Sequence, residues 1–266
     1  MLGSFPRRIE PSFHDKVWGS PRIEPWFASR GDRKTGEVWF PAGDLLIKFL
    51  FTSEDLSIQV HPDDAYARQN GNPRGKTEMW HILRADPGAR IAAGFRSAVR
   101  PADFLSAVQD GTIMDKMNWI EVSPGDTYLI PAGTVHSIGA GIALCEIQQN
   151  SDVTYRIYDY GRSRELHLRQ ASEVSACEEY HGKTTPCDVG GGVQLVAESP
   201  FFRTFRATVS SPITAYGRYL IAIGGNGKVN GQRVTPGQVW EQAEQREWSL
   251  EPEGSASGPF NVLLTG

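Results

Sequence analysis

The stretch Gly125-Asp126-Thr127-Tyr128-Leu129-Ile130-Pro131-Ala132-Gly133-Thr134-Val135-His136 is the one on which the fold turns. Thr127–Ile130 is a short β-favouring run, and Pro131-Ala132-Gly133 ends it in a turn just before His136. Similar short runs recur around it, at residues 43–51, 56–60, 78–83, 118–122, Ile142–Gln149 and 153–158, among 28 glycines and 17 prolines. Closely spaced short strands with this punctuation predict a sandwich or barrel. Helical pattern is sparse. Pro101 opens ADFLSAVQ, with Phe104, Leu105 and Val108 expected on one side. Pro62-Asp63-Asp64 begins a second short helix over AYARQ, with its acids at the positive end, and LRQASEVSA (168–176) is a third.

After about residue 175 the character changes. Asp188-Val189-Gly190-Gly191-Gly192 reads as a loop, followed by strand-like runs at 193–197, 201–210, 219–223, 237–240 and 261–264. From residue 188 onward there is no His and no Cys, so the chemistry is expected in the first part. Across all 266 residues, 27 basic and 31 acidic side chains leave a formal charge of −4 without a Lys/Arg cluster, which argues against nucleic acid and anionic membranes as partners. The apolar run Leu45–Phe51 is interrupted by Lys48 and is too short to span a bilayer. Residues 1–13 do not read as a signal peptide. Three cysteines, Cys145, Cys177 and Cys187, form no close metal-binding pair; reduced thiols in a cytoplasm are the simplest reading, with Cys145 a small core residue.

Working outward from His136, two further segments carry chemistry. In Leu56-Ser57-Ile58-Gln59-Val60-His61-Pro62-Asp63-Asp64, strand alternation puts Ser57, Gln59 and His61 on one side and Leu56, Ile58 and Val60 on the other. A polar row of this kind often faces solvent. In Gly75-Lys76-Thr77-Glu78-Met79-Trp80-His81-Ile82 the same parity puts Lys76 and Glu78 on one face and His81 on the other. Taken alone, Lys76 and Glu78 read as a surface ion pair and His81 as a structural histidine.

The spacing around His136 is the second half of the cupin signature, with Ala140 where the signature ends in Asn; Gln59-x-His61 replaces the His-x-His of the first half. With Lys76-Thr77-Glu78-Met79, with residues 130–139 (IPAGTVHSIG) and with 146–160 (EIQQNSDVTYRIYDY), the chain resembles the type I mannose-6-phosphate isomerases (phosphomannose isomerases) in their short bacterial form. Trp18-Gly19 and Gly36-Glu37-Val38-Trp39 fit the same family. The resemblance covers residues 15–165 well; the last hundred match only in general character. It implies a mainly β, cupin-type double-stranded β-helix (jelly roll) with a few short helices. Residues 1–175 would form the catalytic domain and 176–266 a smaller, degenerate cupin-like β domain without metal ligands.

The resemblance also implies one zinc ion per chain, held by Gln59, His61, Glu78 and His136. Two imidazoles and a carboxylate are a normal zinc set that leaves positions open, whereas Gln59 offers only a weakly binding amide oxygen. Arg156 matches the family's active-site arginine, and the position of Glu146 lies at the same site; by themselves the two read as a half-buried ion pair. A guanidinium suits a phosphate or an enediolate charge. Ser57 and Lys76 are the other candidate sugar-phosphate contacts. Longer family members carry a lysine shortly after the arginine, which this chain lacks, and Arg162 is a candidate substitute.

The implied reaction interconverts mannose 6-phosphate and fructose 6-phosphate through a cis-enediol, with Glu146 or Lys76 as the base. The partner is a small sugar phosphate, and the expected assembly a monomer or homodimer. Two other classes stay open: another metal cupin, such as an iron dioxygenase or an epimerase, and a catalytically silent sugar-phosphate-binding relative.

Overall fold

The computed structural model describes residues 6–254 and 258–266. In chain order, β1 (Arg7–Ile9), β2 (Ser12–Ser20), β3 (Thr35–Ala42), β4 (Leu45–Phe51) and β5 (Ile58–Val60) precede α1 (Asp64–Gln69). Then come β6 (Glu78–Ala85), β7 (Arg90–Phe95), α2 (Pro101–Gln109), α3 (Ile113–Lys116), β8 (Met117–Glu121), β9 (Thr127–Ile130) and β10 (His136–Ile138). β11 (Ile142–Gln149), β12 (Tyr155–Tyr158) and α4 (Leu168–Val174) complete the first part. The remainder is all strand: β13 (Cys187–Gly190), β14 (Val193–Glu198), β15 (Arg203–Val209), β16 (Ile213–Gly224), β17 (Gly227–Val229), β18 (Gln232–Val234), β19 (Val239–Pro252) and β20 (Phe260–Thr265).

The strands form three sheets, so the mainly β, jelly-roll reading holds. A five-stranded sheet, β12-β5-β10-β7-β8, faces a six-stranded one, β2-β3-β4-β11-β6-β9. Behind the six-stranded sheet lies a nine-stranded sheet containing β13 to β20, and β1 joins it by pairing with β19. The layers explain the run Leu45–Phe51. Every residue of β4 is buried because the sheet is covered on both faces. Ile47 and Phe49 pack against Ile221, Val239 and Leu263 of the nine-stranded sheet, while Leu50 packs with Trp80 and Leu144 in the interior facing the five-stranded sheet. The outer face of the five-stranded sheet, with Ile58 and Val60, is closed by Phe104 of α2, Ile113 of α3 and Ala171 of α4.

Several local expectations are corrected. On α2 the inward residues are Phe104, Ala107 and Val108, related by i, i+3 and i+4, whereas Leu105 lies outside that stripe and is exposed. The loop expected at 188–192 begins as strand: Cys187 and Asp188 pair with Leu195 and Gln194, and Gly190 to Gly192, all at positive φ, make the turn. The helix at Pro62-Asp63-Asp64 starts as expected, with the Asp63 side chain capping the Tyr66 N–H.

Candidate metal centre and active-site cavity

Strand register aligns the site. Across β12, β5 and β10, Arg156 lies opposite Gln59 and Gln59 opposite His136, so the three stand in one row on the inner face of the five-stranded sheet. Across the interior, Lys48, Glu146 and Trp80 form a row through β4, β11 and β6, and Gln148 stands opposite Glu78. Ser57 and His61 are buried, so the polar row on β5 points inward and not to solvent. Lys76 and Glu78 are buried as well, and the surface ion pair expected there is an interior one, at 2.9 Å.

Two glycines make this convergence possible. Gly133 adopts φ +87°, which the Pro131-Ala132-Gly133 turn requires, and its N–H donates to the His61 carbonyl at 2.8 Å. That bond ties the turn before His136 to the segment carrying His61. At Gly75 a Cβ would lie 2.4 Å from the Pro62 carbonyl oxygen, so only glycine lets the chain pass this close and deliver Lys76 beside His61.

His61, Glu78 and His136 present ligand atoms within 4.8 Å of one another, all buried. Nε2 of His61 is 3.6 Å from Glu78 Oε2, and Nε2 of His136 is 3.4 Å from Glu78 Oε1. Each ring is locked from behind. Nδ1 of His61 donates to the Val153 carbonyl and Nδ1 of His136 to the Thr134 carbonyl, both at 2.8 Å. With the proton held on Nδ1, each Nε2 turns its lone pair inward, the arrangement metal-binding histidines adopt. Burial pushes both imidazoles below their ordinary pKa, His136 to about 4, with the Lys76 charge adding to the effect, so both are neutral at pH 7.

The fit to a divalent cation shows in what the donors now face. The ammonium of Lys76 sits at their focus, 3.1 Å from His61 Nε2 and 2.9 Å from Glu78 Oε2. Oε2 of Glu78 has no well-angled hydrogen bond among the described residues. Gln59 stands beside the cluster, but its amide Nε2 faces His136 at 3.3 Å while Ser57 Oγ donates to its Oε1 at 3.2 Å. An oxygen of Gln59 reaches the focus only if the amide is turned over.

A cavity of about 250 Å³ opens beside the centre, lined among others by Ser57, Gln59, Lys76 and Arg156. Glu146 is not in its wall. Its Oε2 accepts from Trp80 Nε1 at 2.9 Å, Lys48 Nζ is 3.5 Å from its Oε1, and burial with the Glu78 charge raises its pKa. Glu146 and Arg156 therefore do not pair with each other: the charged neighbour of Glu146 is Lys48, and Nη1 of Arg156 donates to the Glu165 carbonyl at 2.8 Å. Arg162 also faces elsewhere, donating to Asp159 and, at 2.8 Å, to the Asp55 carbonyl. His81 lies on the outer face, 2.8 Å from Thr127 Oγ1, as its parity implied. Cys145 is buried.

The cavity wall also holds residues to which the sequence assigns no role: Lys16, Glu37, Lys48, Asp152, Thr154 and Arg164, of which Glu37, Asp152 and Thr154 lie inside segments that carry the family resemblance. One of them was signalled. A lone Lys48 inside an otherwise apolar strand must face something polar, because that strand is covered on both sides. Glu37 balances it: burial works against its charge, yet Lys48 and Lys16 hold its carboxyl below the usual range.

No family model matches the chain. A probable mannose-6-phosphate isomerase of Bacillus subtilis is 30% identical over 277 aligned positions, covering 84% of this chain and 87% of that protein. A mannose-6-phosphate isomerase of Streptococcus mutans is 30% identical over 255 positions, with 78% and 80% covered. The crystal structure of the mannose 6-phosphate isomerase from Bacillus subtilis has the same fold, with a TM-score of 0.86 at 24% identity over 98% of this chain and 99% of that one. Likeness of this extent, in a chain whose His61, Glu78 and His136 gather at one buried point, places the chain in the mannose-6-phosphate isomerase family.

Proposed function

We propose that this protein interconverts mannose 6-phosphate and fructose 6-phosphate at the His61–Glu78–His136 centre, with one zinc ion per chain. The observation that carries the reading is the convergence of two neutral, back-locked imidazoles and a carboxylate within 4.8 Å, beside a cavity rich in cations. Zinc is our assignment because two nitrogens and one carboxylate leave coordination positions open for water or substrate. A bound zinc supplies positive charge that stabilises the enediolate formed when C2 loses its proton.

The chain's own residues do the rest. Ser57 and Gln59 lie along one wall and orient sugar hydroxyls. Arg156, on the same row as Gln59, places a permanent cation where negative charge gathers. The proton that moves between C2 and C1 needs a carrier on the wall. Lys76 lines the cavity and Glu146 does not, so we assign the shuttle to Lys76 Nζ. Paired with Glu78 it is an ammonium and can only donate; with Glu78 engaged by a cation it loses that partner and can pass to the amine that takes up the C2 proton. Glu146 then acts through Lys48 and Trp80, as a positioning residue. We further propose that residues 1–175 form the catalytic domain, apart from β1, and that 176–266 are a supporting β domain. Three free cysteines fit a cytoplasmic protein. None of the described helices is long and apolar enough to cross a membrane.

A coupled isomerase assay after chelation and metal add-back tests the reading. Activity is expected to vanish with chelator and return with zinc. Full activity in metal-free protein, or metal-loaded protein that leaves both hexose phosphates unconverted, would overturn it.

A further inference from the structure

The segment that delivers Glu78 is held by side chains where backbone pairing runs out. β6 begins at Glu78, and both neighbouring strands turn away there: β9 ends at Ile130, just before Pro131, and β11 ends at Gln149. Thr77, one residue ahead of Glu78, therefore meets two strand ends. The Gln149 N–H still donates to the Thr77 carbonyl at 3.1 Å, but the Gln149 carbonyl has turned to the Ser151 N–H at 2.7 Å. The reciprocal bond from the Thr77 N–H goes instead to Gln149 Oε1, at 2.8 Å. On the other side Pro131 has no N–H to give, and the next one, that of Ala132, donates to Thr77 Oγ1 at 3.1 Å. Two backbone donors that the ladder leaves without a carbonyl are thus satisfied by the side chains of Thr77 and Gln149, both buried.

These bonds join the three segments that carry His61, Glu78 and His136. Ala132 belongs to the turn before His136, and Gly133 of that turn is tied to the His61 carbonyl. The Gln149 amide reaches the other way: its Nε2 donates to Asp64 Oδ1 at 2.8 Å. Asp64 lies three residues after His61, and the same oxygen accepts the Gly75 N–H at 2.9 Å. With an N–H donor at one end and a carboxylate at the other, the amide has one orientation. The bonds close a ring from the His61 segment through Asp64 and Gln149 to Thr77, through Ala132 to the His136 turn, and back through Gly133. Asp64, Gln149 and Thr77 do not line the cavity, so the ring acts from behind the centre.

We propose that Thr77 and Gln149 are positioning residues that set the affinity of the centre for its metal, by fixing the backbones of His61, Glu78 and His136 relative to one another before the ion arrives. Ligands already in place lose little freedom on binding, so the benefit appears in affinity. The proposal rests on the metal-centre reading above, whatever the substrate.

The test is equilibrium competition. Metal-loaded, full-length protein is titrated with a chromophoric chelator to obtain the zinc dissociation constant, and mannose 6-phosphate conversion is followed on the same samples. Thr77→Val keeps the shape and removes Oγ1, and Gln149→Met removes both amide contacts; each should weaken zinc binding by ~10- to 100-fold. Should one of the two not fold, the other carries the test. Thr77→Ser restores the acceptor and should bind zinc as wild type does. Phe49→Ala, on the outer face of the same sheet, should lower stability in urea without changing zinc affinity, which separates positioning from a general loosening of the fold. Wild-type zinc affinity in Thr77→Val or in Gln149→Met, weakening in Thr77→Ser equal to that in Thr77→Val, or equal weakening in Phe49→Ala would each overturn the assignment. Wild type that holds no zinc would overturn it together with the metal centre. If wild type holds zinc, the variants behave as expected and neither hexose phosphate is converted, the positioning role stands and the isomerase reading falls.

Discussion

The two faces of the six-stranded sheet are built by the same strands, one residue apart, and have opposite chemistry. On the outer face, Ile47, Phe49, Met79, Cys145 and Ile147 pack beneath the C-terminal sheet. On the inner face, Lys48, Glu78, Glu146 and Gln148 are as thoroughly buried as their apolar neighbours. Exposure therefore does not distinguish the two. Burying the outer side chains stabilises by about 25 cal/mol per Å² of apolar surface, whereas each buried ion costs several kcal/mol unless it is matched. The matching on the inner face is by ion pairs without well-angled hydrogen bonds: Glu78 Oε2 meets Lys76 at 2.9 Å and Glu146 Oε1 meets Lys48 at 3.5 Å. A buried face that holds this much charge is where a cation and a polar ligand gain most, and the apolar face behind it supplies the stability to hold it open.

That contrast is most directly broken at Glu78. Glu78→Gln keeps the shape and removes the anionic ligand, so metal content by elemental analysis should fall well below one per chain. Turnover should drop by about 10³-fold or more, the equivalent of several kcal/mol of charge stabilisation. Wild-type metal content in this variant would show that the inner face is not a metal centre. The outer face should respond in the opposite way. Phe49 is fully buried and packs edge-on against Phe27 at 5.3 Å. Phe49→Ala should cost about 3–5 kcal/mol in urea unfolding, with the metal stoichiometry of the folded protein unchanged. Metal loss without loss of stability would mean that the two faces are not separable.

How much of this the sequence discloses depends on which face a residue belongs to. Alternation on β5 and β6 sorts Ser57, Gln59, His61 and Glu78 from their aliphatic neighbours, and Ile142–Gln149 and Thr127–Ile130 are readable as strands to the residue. Alternation cannot say whether a polar row meets water or a facing sheet, because that depends on which strands lie opposite; hence Lys76 and Glu78 read as a surface pair and are interior. β10 is three residues long and β7 is the plain run RIAAGF, too little pattern to stand out, although β10 carries His136. Arg164 is still harder to find. Its place follows from a carboxylate five residues earlier and from a cavity wall contributed by distant strands, and neither leaves a spacing of its own.

His81 tests the seam between the two chemistries with the smallest effect. It shares β6 with Glu78 but faces outward, buried and bonded to Thr127 Oγ1 beneath the C-terminal sheet. Burial, helped by the charge of Arg206, lowers its pKa from 6.5 to about 4, so the folded protein holds the ring neutral where the unfolded chain protonates it. Because the unfolded state binds the extra proton, this histidine's contribution is fully present above pH 6.5 and is lost as pH falls toward 4. At 1.36 kcal/mol per pKa unit the whole loss is roughly 3 kcal/mol, of which about 2 kcal/mol should be gone by pH 5. The metal-site histidines are also held neutral, so the measurement is a difference: urea unfolding of metal-loaded wild type and His81→Gln at pH 7.5 and pH 5. Wild type should lose about 2 kcal/mol more than the variant between the two. Equal losses would mean that His81 takes up its proton without penalty, and that the outer face is less tightly sealed than its apolar packing implies.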